Sequence, residues 1–430
     1  MTYAEAIEFL SGLRRFGLKL GLENTLRMAE LAGNPHRQLR FIHVAGTNGK
    51  GSTCAMLEGI YRAAGWRTCL FTAPHLIGFS ERIPVNREPI SRDDVVRLVE
   101  RARARLGELP ADHHPTFFEV VVIMALEYFA EQQCELVIWE TGMGGRLDAT
   151  NIVMPLASVI TNIQFDHQKW LGNTRAQIAT EKGGIIKPRV PVLTAVDEPD
   201  ALEVLTDIAR AREAPLTVVN RQHPAFVDLA GLSLALPGEH QRLNAALAAA
   251  TVRQLQPQCP VTDAHLRHGL EHVHWPGRLQ LVTLANGPRL LLDGAHNLAG
   301  VASLEQALAR YFPGTPLNLV LGILDDKDWP HMSGVLAPLA RRIFCVPVRS
   351  ERTASPAGLA DSCRAANPGA EVRVCASVPE ALAESTRDPF TLVAGSLYLV
   401  GEAMEWLGLS PTAGGSEREA HLNESFTRNV

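Results

Sequence analysis

Short apolar runs alternate with stretches of helical spacing along most of this chain. The run Phe41-Ile42-His43-Val44 is followed by Met56, Leu57, Ile60 and Tyr61, whose spacing of three and four predicts a helix. Further strands are predicted at residues 68–72, 135–140, 156–163 and 190–196, with helices at 117–133 and 201–212 between them. Several of these strands are apolar at successive positions, the pattern of a mostly parallel sheet covered by helices on both faces. The first forty residues read as helical and amphipathic around YAEAIEFL. The turn signal Asn286-Gly287-Pro288 opens a second α/β series, with strands expected at 289–293, 317–322, 342–347, 371–375 and 391–394. The patterning therefore predicts an α/β unit over residues 1–286 and a smaller one over 287–411. A polar, aperiodic tail over 412–430 is expected to be disordered. No internal repeat is present.

Composition narrows the function classes. A length of 430 residues suits two domains, and 46% hydrophobic with 20% charged residues is ordinary for a globular protein. The net charge of −5 gives no reason to expect a general nucleic-acid or membrane-surface binder. Seven cysteines without a C-x-x-C pair argue against a disulfide framework and against a cysteine zinc site. There is no leader pattern and no apolar run near the ~20 residues of a membrane span, so a cytoplasmic location is expected.

Chemistry first appears in FIHVAGTNGKGS, residues 41–52. A strand, a glycine-rich turn, a lysine, a hydroxyl and a helix follow in the order of a phosphate-binding loop, except that Gly51 separates Lys50 from Ser52. Backbone N–H groups of Thr47, Asn48, Gly49 and Gly51 could converge on phosphate at the helix N-terminus. Lys50 would neutralise it, and Ser52 or Thr53 could reach magnesium. A plain strand-to-helix turn with a solvated lysine is the alternative. Glu140 ends the buried-looking strand ELVIWE, where a carboxylate needs a cation or a partner such as Arg146. Asp166-His167 likewise follows a strand, at the edge where ligands sit in such sheets. Lys182 reads as a phosphate-pairing or an exposed helix lysine.

The loop HVAGTNGKGS resembles the ATP loop of folylpolyglutamate synthases and dihydrofolate synthases, relatives of the Mur ligases. The resemblance continues through RFGLKLGL, FTAPHLIGFSERIPVN, ETGMGGRLDATN, DHQKWLGNT, EKGGIIK, WPGRLQ and DGAHN, in the family's order, and LGILDDKD and GSLYLVGE also fit. It implies a phosphate-loop ATPase-type domain followed by a smaller Rossmann-like one, acting as a monomer without nucleic acid or membrane. The implied reaction joins L-glutamate to dihydropteroate, or to the γ-carboxylate of a reduced folate, through an acyl phosphate made from ATP. The implied cofactors are ATP and two Mg2+ ions held by Ser52, Glu140, His167 and a carbamylated Lys182. Asn244, Arg278 and Asp293 are carried over as nucleotide contacts, and His296 as a contact of the γ-phosphate or acyl phosphate. Phe117, Phe118, Glu119, Leu147, Asp148 and Ala149 are carried over as substrate contacts. PHLIGFSERI resembles the loop that covers the folate. Where many relatives have Ser-Pro-His this chain has Ala73-Pro74-His75, so water or Thr72 must stand in for a magnesium-binding hydroxyl. A Mur-type cell-wall ligase would need a further N-terminal domain, for which the loop at residue 46 is expected to leave no room. A phosphate-loop switch without ligase activity would not require the second domain or the Glu140, His167 and Lys182 set.

Overall fold

Two six-stranded sheets organise the chain in a computed structural model that describes residues 1–17, 19, 21–109, 114–285, 287–410, 419 and 421–423. The first sheet contains β1 (Phe41–Ala45), β2 (Thr68–Phe71), β3 (Leu136–Glu140), β4 (Ala157–Ile160), β5 (Val192–Thr194) and β6 (Leu216–Val218). Its order is β2-β3-β1-β4-β5-β6, with every pairing parallel. All residues of β1 to β5 are buried, which explains why these strands read as apolar on both faces. Short β6 is only half-buried and has no such signal, so the periodicity did not reveal it.

The second sheet contains β7 (Gln280–Thr283), β8 (Arg289–Asp293), β9 (Leu317–Leu321), β10 (Ala340–Cys345), β11 (Glu371–Val374) and β12 (Phe390–Ala394), in the order β11-β10-β9-β12-β8-β7. Only β7 runs antiparallel among these pairings. This moves the expected boundary at residue 287: the turn with Gly287 and Pro288 closes the β7–β8 hairpin, through Leu284 N–H to the Pro288 carbonyl at 2.8 Å. The second unit therefore begins before Gln280. Asn286 itself lies outside the described residues.

Two other expectations change. The tail contributes to the core: Leu422 is buried among side chains of the first domain, and Glu419 is buried beside it. Residues 411–418, 420 and 424–430 of that tail lie outside the described residues. Cys69 on β2 and Cys134 just before β3 form one disulfide, Cα atoms 6.1 Å apart, which cysteine spacing did not signal. The other five cysteines are free and buried. No described helix is long and apolar enough to cross a membrane.

Candidate active site

The strand order puts the carboxyl ends of β3, β1 and β4 side by side. Val44 lies opposite Glu140, and Ala45 opposite Ile160, so three strand ends open at one level. The segment between β1 and the helix Lys50–Ala63 turns through Gly46 (φ 148°) and Gly49 (φ 85°). Glycine is required at both positions. A Cβ on Gly46 would lie 1.8 Å from Thr161 Oγ1, and one on Gly49 would lie 2.5 Å from Asn244 Oδ1. The loop is pinned from β4's end. Asn162 accepts from Thr47 N–H at 2.9 Å and from Asn48 N–H at 2.8 Å, and Thr161 donates to the Asn48 carbonyl at 2.6 Å. Lys50 donates back to the Thr47 carbonyl at 3.1 Å.

Gly51 also has a physical reason. A Cβ there would come within 3.0 Å of the Trp275 indole, in the segment joining the two domains. The residue that interrupts the usual loop spacing lets the interdomain segment lie against the phosphate-loop helix. Ser52 is buried and accepts from Gln241 Nε2 at 3.2 Å, and Gln241 in turn accepts from Asn244 at 3.1 Å.

Around this loop stands a cluster of buried ionisable groups. Glu140 is buried and receives one long hydrogen bond, from Ala73 N–H at 3.4 Å. Burial pushes its pKa up to about 7, against the pull of Lys50 and Arg278. Arg146 does not pair with it, being joined to Glu181 at 2.8 Å instead. Lys182, also buried, donates to the Gly46 carbonyl at 2.7 Å, and burial together with Lys50 lowers its pKa to about 7. Asp148 acts on both groups electrostatically while capping the turn Ala149–Ile152 and accepting from Met143 N–H at 2.7 Å. His167, with its side chain 41% exposed, has Asp166, Lys327, Lys182 and Lys50 as charged neighbours.

The second domain closes this cluster from the other side. Asn48 and Asn297 exchange amide hydrogen bonds at 3.1 and 2.9 Å, and Asn297 also reaches Asp166 at 3.2 Å. Lys327 pairs with Asp166 at 2.5 Å, both side chains being 8% exposed, and His296 Nε2 lies 3.8 Å from the same carboxylate. Burial opposes its charge, but His167, Lys327 and His296 hold the Asp166 pKa well below the usual carboxylate range. His296 donates through Nδ1 to the Gly294 carbonyl at 2.8 Å, leaving Nε2 toward the cleft. Arg278 is no surface ion pair. It lies between Gly294, Asp293 and Glu140, where burial lowers its pKa. Asp293 accepts from Leu279 and Ala295 N–H groups, both at 2.9 Å.

The expected substrate residues divide. Phe117 is core-buried with the Arg82 guanidinium 5.5 Å from its ring centroid, and Phe118 packs against Gly142. Glu119 is turned to its own helix start, closing a capping box with Thr116. Leu147 and Ala149 flank Asp148, half-buried and buried. The loop carrying PHLIGFSERI is tightly organised: Glu81 accepts from Leu76, Ile77 and Gly78 N–H groups at 2.6 to 2.9 Å. Thr161, Asn162, Gln241, Asn297 and Lys327 were not singled out from the sequence. Polar residues just past a buried strand were the available signal for the first two.

Buried oxygen donors fit a magnesium ion here. Glu140 is a desolvated carboxylate with no ion pair among the described residues, and the buried hydroxyls of Thr53, on the phosphate-loop helix, and of Thr141, next to Glu140, have no hydrogen-bond partner there.

Gly46→Ala tests the loop geometry. It is expected to weaken ADP binding at least about tenfold and to cost about 1–3 kcal/mol of stability. Calorimetric titration and urea unfolding read these effects. Gly65→Ala, whose Cβ would meet no atom within 4 Å, is the control for backbone strain alone.

The model of the Mur ligase middle domain matches residues 44–225, and that of the Mur ligase glutamate ligase domain matches residues 277–397. The dihydrofolate synthase/folylpolyglutamate synthase of Bacillus subtilis is 34% identical over 423 residues, 93% of this chain and 98% of that protein. The crystal structure of folylpolyglutamate synthase from Thermotoga maritima is 35% identical with a TM-score of 0.83, covering 97% of this chain and 98% of that one. The structure of Escherichia coli FolC in complex with DHPP and ADP is 29% identical with a TM-score of 0.83, covering 95% of this chain and 98% of that one.

Proposed function

This chain belongs to the folylpolyglutamate synthase and dihydrofolate synthase family of Mur-type ligases, and on that premise we propose how its own residues carry the reaction. It is an ATP-dependent ligase that adds glutamate in folate metabolism. A carboxylate oxygen of dihydropteroate, or of a folate γ-carboxyl, attacks the γ-phosphorus of ATP, and ADP leaves. The amine of L-glutamate then attacks the acyl phosphate carbon. The C–N bond forms, the C–O bond to phosphate breaks, inorganic phosphate departs, and the amine gives up a proton.

The residues serve this chiefly by positioning and by offsetting charge. Backbone N–H groups of Gly49, Lys50 and Gly51 and the Lys50 ammonium receive the β- and γ-phosphates. The expected N–H groups of Thr47 and Asn48 are taken by Asn162, so these two residues shape the loop instead. Arg278 and His296 face the transferring group from the second domain. Asn244 and Asp293 lie toward the nucleotide. Phe117, Phe118, Leu147 and Ala149 border the pterin side, while Asp148 and Glu119 hold their local turns. Ser52, Glu140, His167 and a carbamylated Lys182 would hold Mg2+, which when bound supplies positive charge to the phosphates. Where many relatives carry a serine, Ala73 would leave that oxygen to water or to Thr72. The meeting of the β1, β3 and β4 ends and Asp166 with His296 and Asn297 across the cleft carries this reading.

Glutamate-dependent ADP release, measured with dihydropteroate and separately with tetrahydrofolate, tests it. Release with one or both is expected and separates single from dual activity. Release with neither would overturn the reading.

A further inference from the structure

One aromatic side chain at the domain junction has no role in the reaction as described. The segment that carries it runs along the phosphate-loop helix Lys50–Ala63, and glycines make room for it. A Cβ on Gly269, in the helix Asp263–Glu271, would lie 2.5 Å from the Ile60 Cα, and one on Gly59 would lie 3.2 Å from the Gly269 carbonyl oxygen. Val273 comes next, also beside Gly59, and Trp275 then reaches Gly51 in the first turn. The chain entering the second domain thus follows this helix toward its N-terminus, the end that receives phosphate.

Trp275 is held by more than Gly51. The Arg87 guanidinium lies 5.5 Å from its ring centroid. Arg87 is itself tied to the phosphate-loop helix, through Glu58 at 2.6 Å and the Ala55 carbonyl at 3.4 Å. Glu58, 1% exposed, also accepts from Thr68 Oγ1 at 2.9 Å and from Arg62 at 2.8 Å, so the carboxylate that holds Arg87 is fixed in turn. On the other side of Trp275 the chain is short and stiff. Pro276 restricts its own φ, and Gly277 turns at φ 71°, with no room for a Cβ beside Val400. The Gly277 carbonyl accepts from Gly294 N–H at 2.9 Å and from Arg278 Nη1 at 3.0 Å. Arg278 therefore stands between the indole seated on the phosphate-loop helix and the end of β8.

We propose that Trp275 is a positioning residue for phosphoryl transfer: seated on Gly51, it sets the reach of Arg278 toward the phosphate that Lys50 receives. The glycine that interrupts the usual loop spacing is what gives the indole its seat, with a Cβ there coming within 3.0 Å of Cζ2 and 3.1 Å of Nε1. Arg278 offsets charge that develops on the transferring group, an interaction strongest in the transition state. A displaced Arg278 therefore costs turnover rather than nucleotide affinity. This inference rests on the ligase reading above.

The test is steady-state kinetics of Trp275→Leu and Pro276→Gly in the full chain. The first removes the indole, and the second keeps both side chains but loosens the link between them. Each is expected to lower kcat for glutamate-dependent ADP release about tenfold, with calorimetric ADP affinity and KM for dihydropteroate or tetrahydrofolate within about twofold of the parent. Trp275→Phe, which keeps a flat ring on Gly51, is expected to recover most of that loss. A double-mutant cycle shows whether the effect passes through Arg278. In an Arg278→Met background, followed at raised enzyme concentration, either substitution is expected to cost no more than about twofold further. An undiminished tenfold loss in that background, an unchanged kcat in both Trp275→Leu and Pro276→Gly, or a fall in ADP affinity as large as the fall in kcat would overturn the proposal. If the parent enzyme releases no ADP in response to glutamate, the ligase reading fails instead, and the two failures are distinct.

Discussion

Lys182→Arg is expected to lose glutamate-dependent ADP release at least about 100-fold, as great a loss as Lys182→Met. The two substitutions separate two roles for a lysine beside a phosphate loop. Were Lys182 a cation for phosphate, arginine would keep the charge and recover part of the rate. A role through the neutral amine, and through the carbamate it can form with CO2, is lost equally in both, because guanidinium stays protonated. The surroundings favour the second role. Lys182 is 4% exposed, it donates to the Gly46 carbonyl, and burial with nearby Lys50 brings its pKa from 10.5 to about 7. The same shift predicts a stability signature. Between about pH 7 and 10.5 the unfolded chain binds a proton that folded Lys182 has released, so the metal-free protein gains stability as pH rises across that window. Urea unfolding across that range should show this slope in the parent and its loss in Lys182→Met.

Glu140→Gln is expected to act on the opposite limb. The folded carboxyl has a pKa raised from 4.5 to about 7, so between those values the folded chain holds a proton that the unfolded chain has lost. Stability of the metal-free protein therefore falls as pH rises from 4.5 to 7, by about 3 kcal/mol in full. Glutamine, neutral throughout, removes that fall. With Lys182 acting above pH 7, these two groups give the metal-free parent its lowest stability near neutrality. Millimolar Mg2+ at pH 8 is expected to raise the Tm of the parent by binding the ionised Glu140, and to raise that of Glu140→Gln much less. An equal magnesium response in both proteins would remove Glu140 from the metal shell. Stability gained with activity lost is the usual pattern when a strained, desolvated group is kept for function.

The geometry of the phosphate loop is legible in the residues alone. Gly46, Gly49 and Lys50 follow a buried strand at spacings that only a strand–turn–helix accommodates, and both glycines turn out to lack room for a Cβ. Glu140 at a strand end was readable because a carboxylate closing an apolar run needs a reason. Arg278 and His296 were placed at the cleft from their positions beside the second domain's first strands. Three features left no local trace. Glu119 is expected from the sequence only as a substrate contact, and the hydrogen bond from Thr116 N–H is what assigns it to the helix cap. The β7 strand is short and half-buried, so a turn inside its hairpin resembled a domain boundary. The tail is polar, yet Leu422 and Asn423 are held by partners more than three hundred residues away.

The sequence by itself determined the two α/β units, the phosphate loop and the identity of the acidic, histidine and lysine groups at strand ends. Periodicity, glycine placement and strand-end polarity are written into neighbouring residues, and a parallel sheet brings its strand ends to one edge. Tertiary structure alone decided which groups meet across the cleft: Asn48 with Asn297, Asp166 with Lys327, Gly51 with Trp275, and Arg82 with the chain end. Those pairings depend on how one domain lies against the other and on where the chain returns. No spacing within a short stretch encodes either.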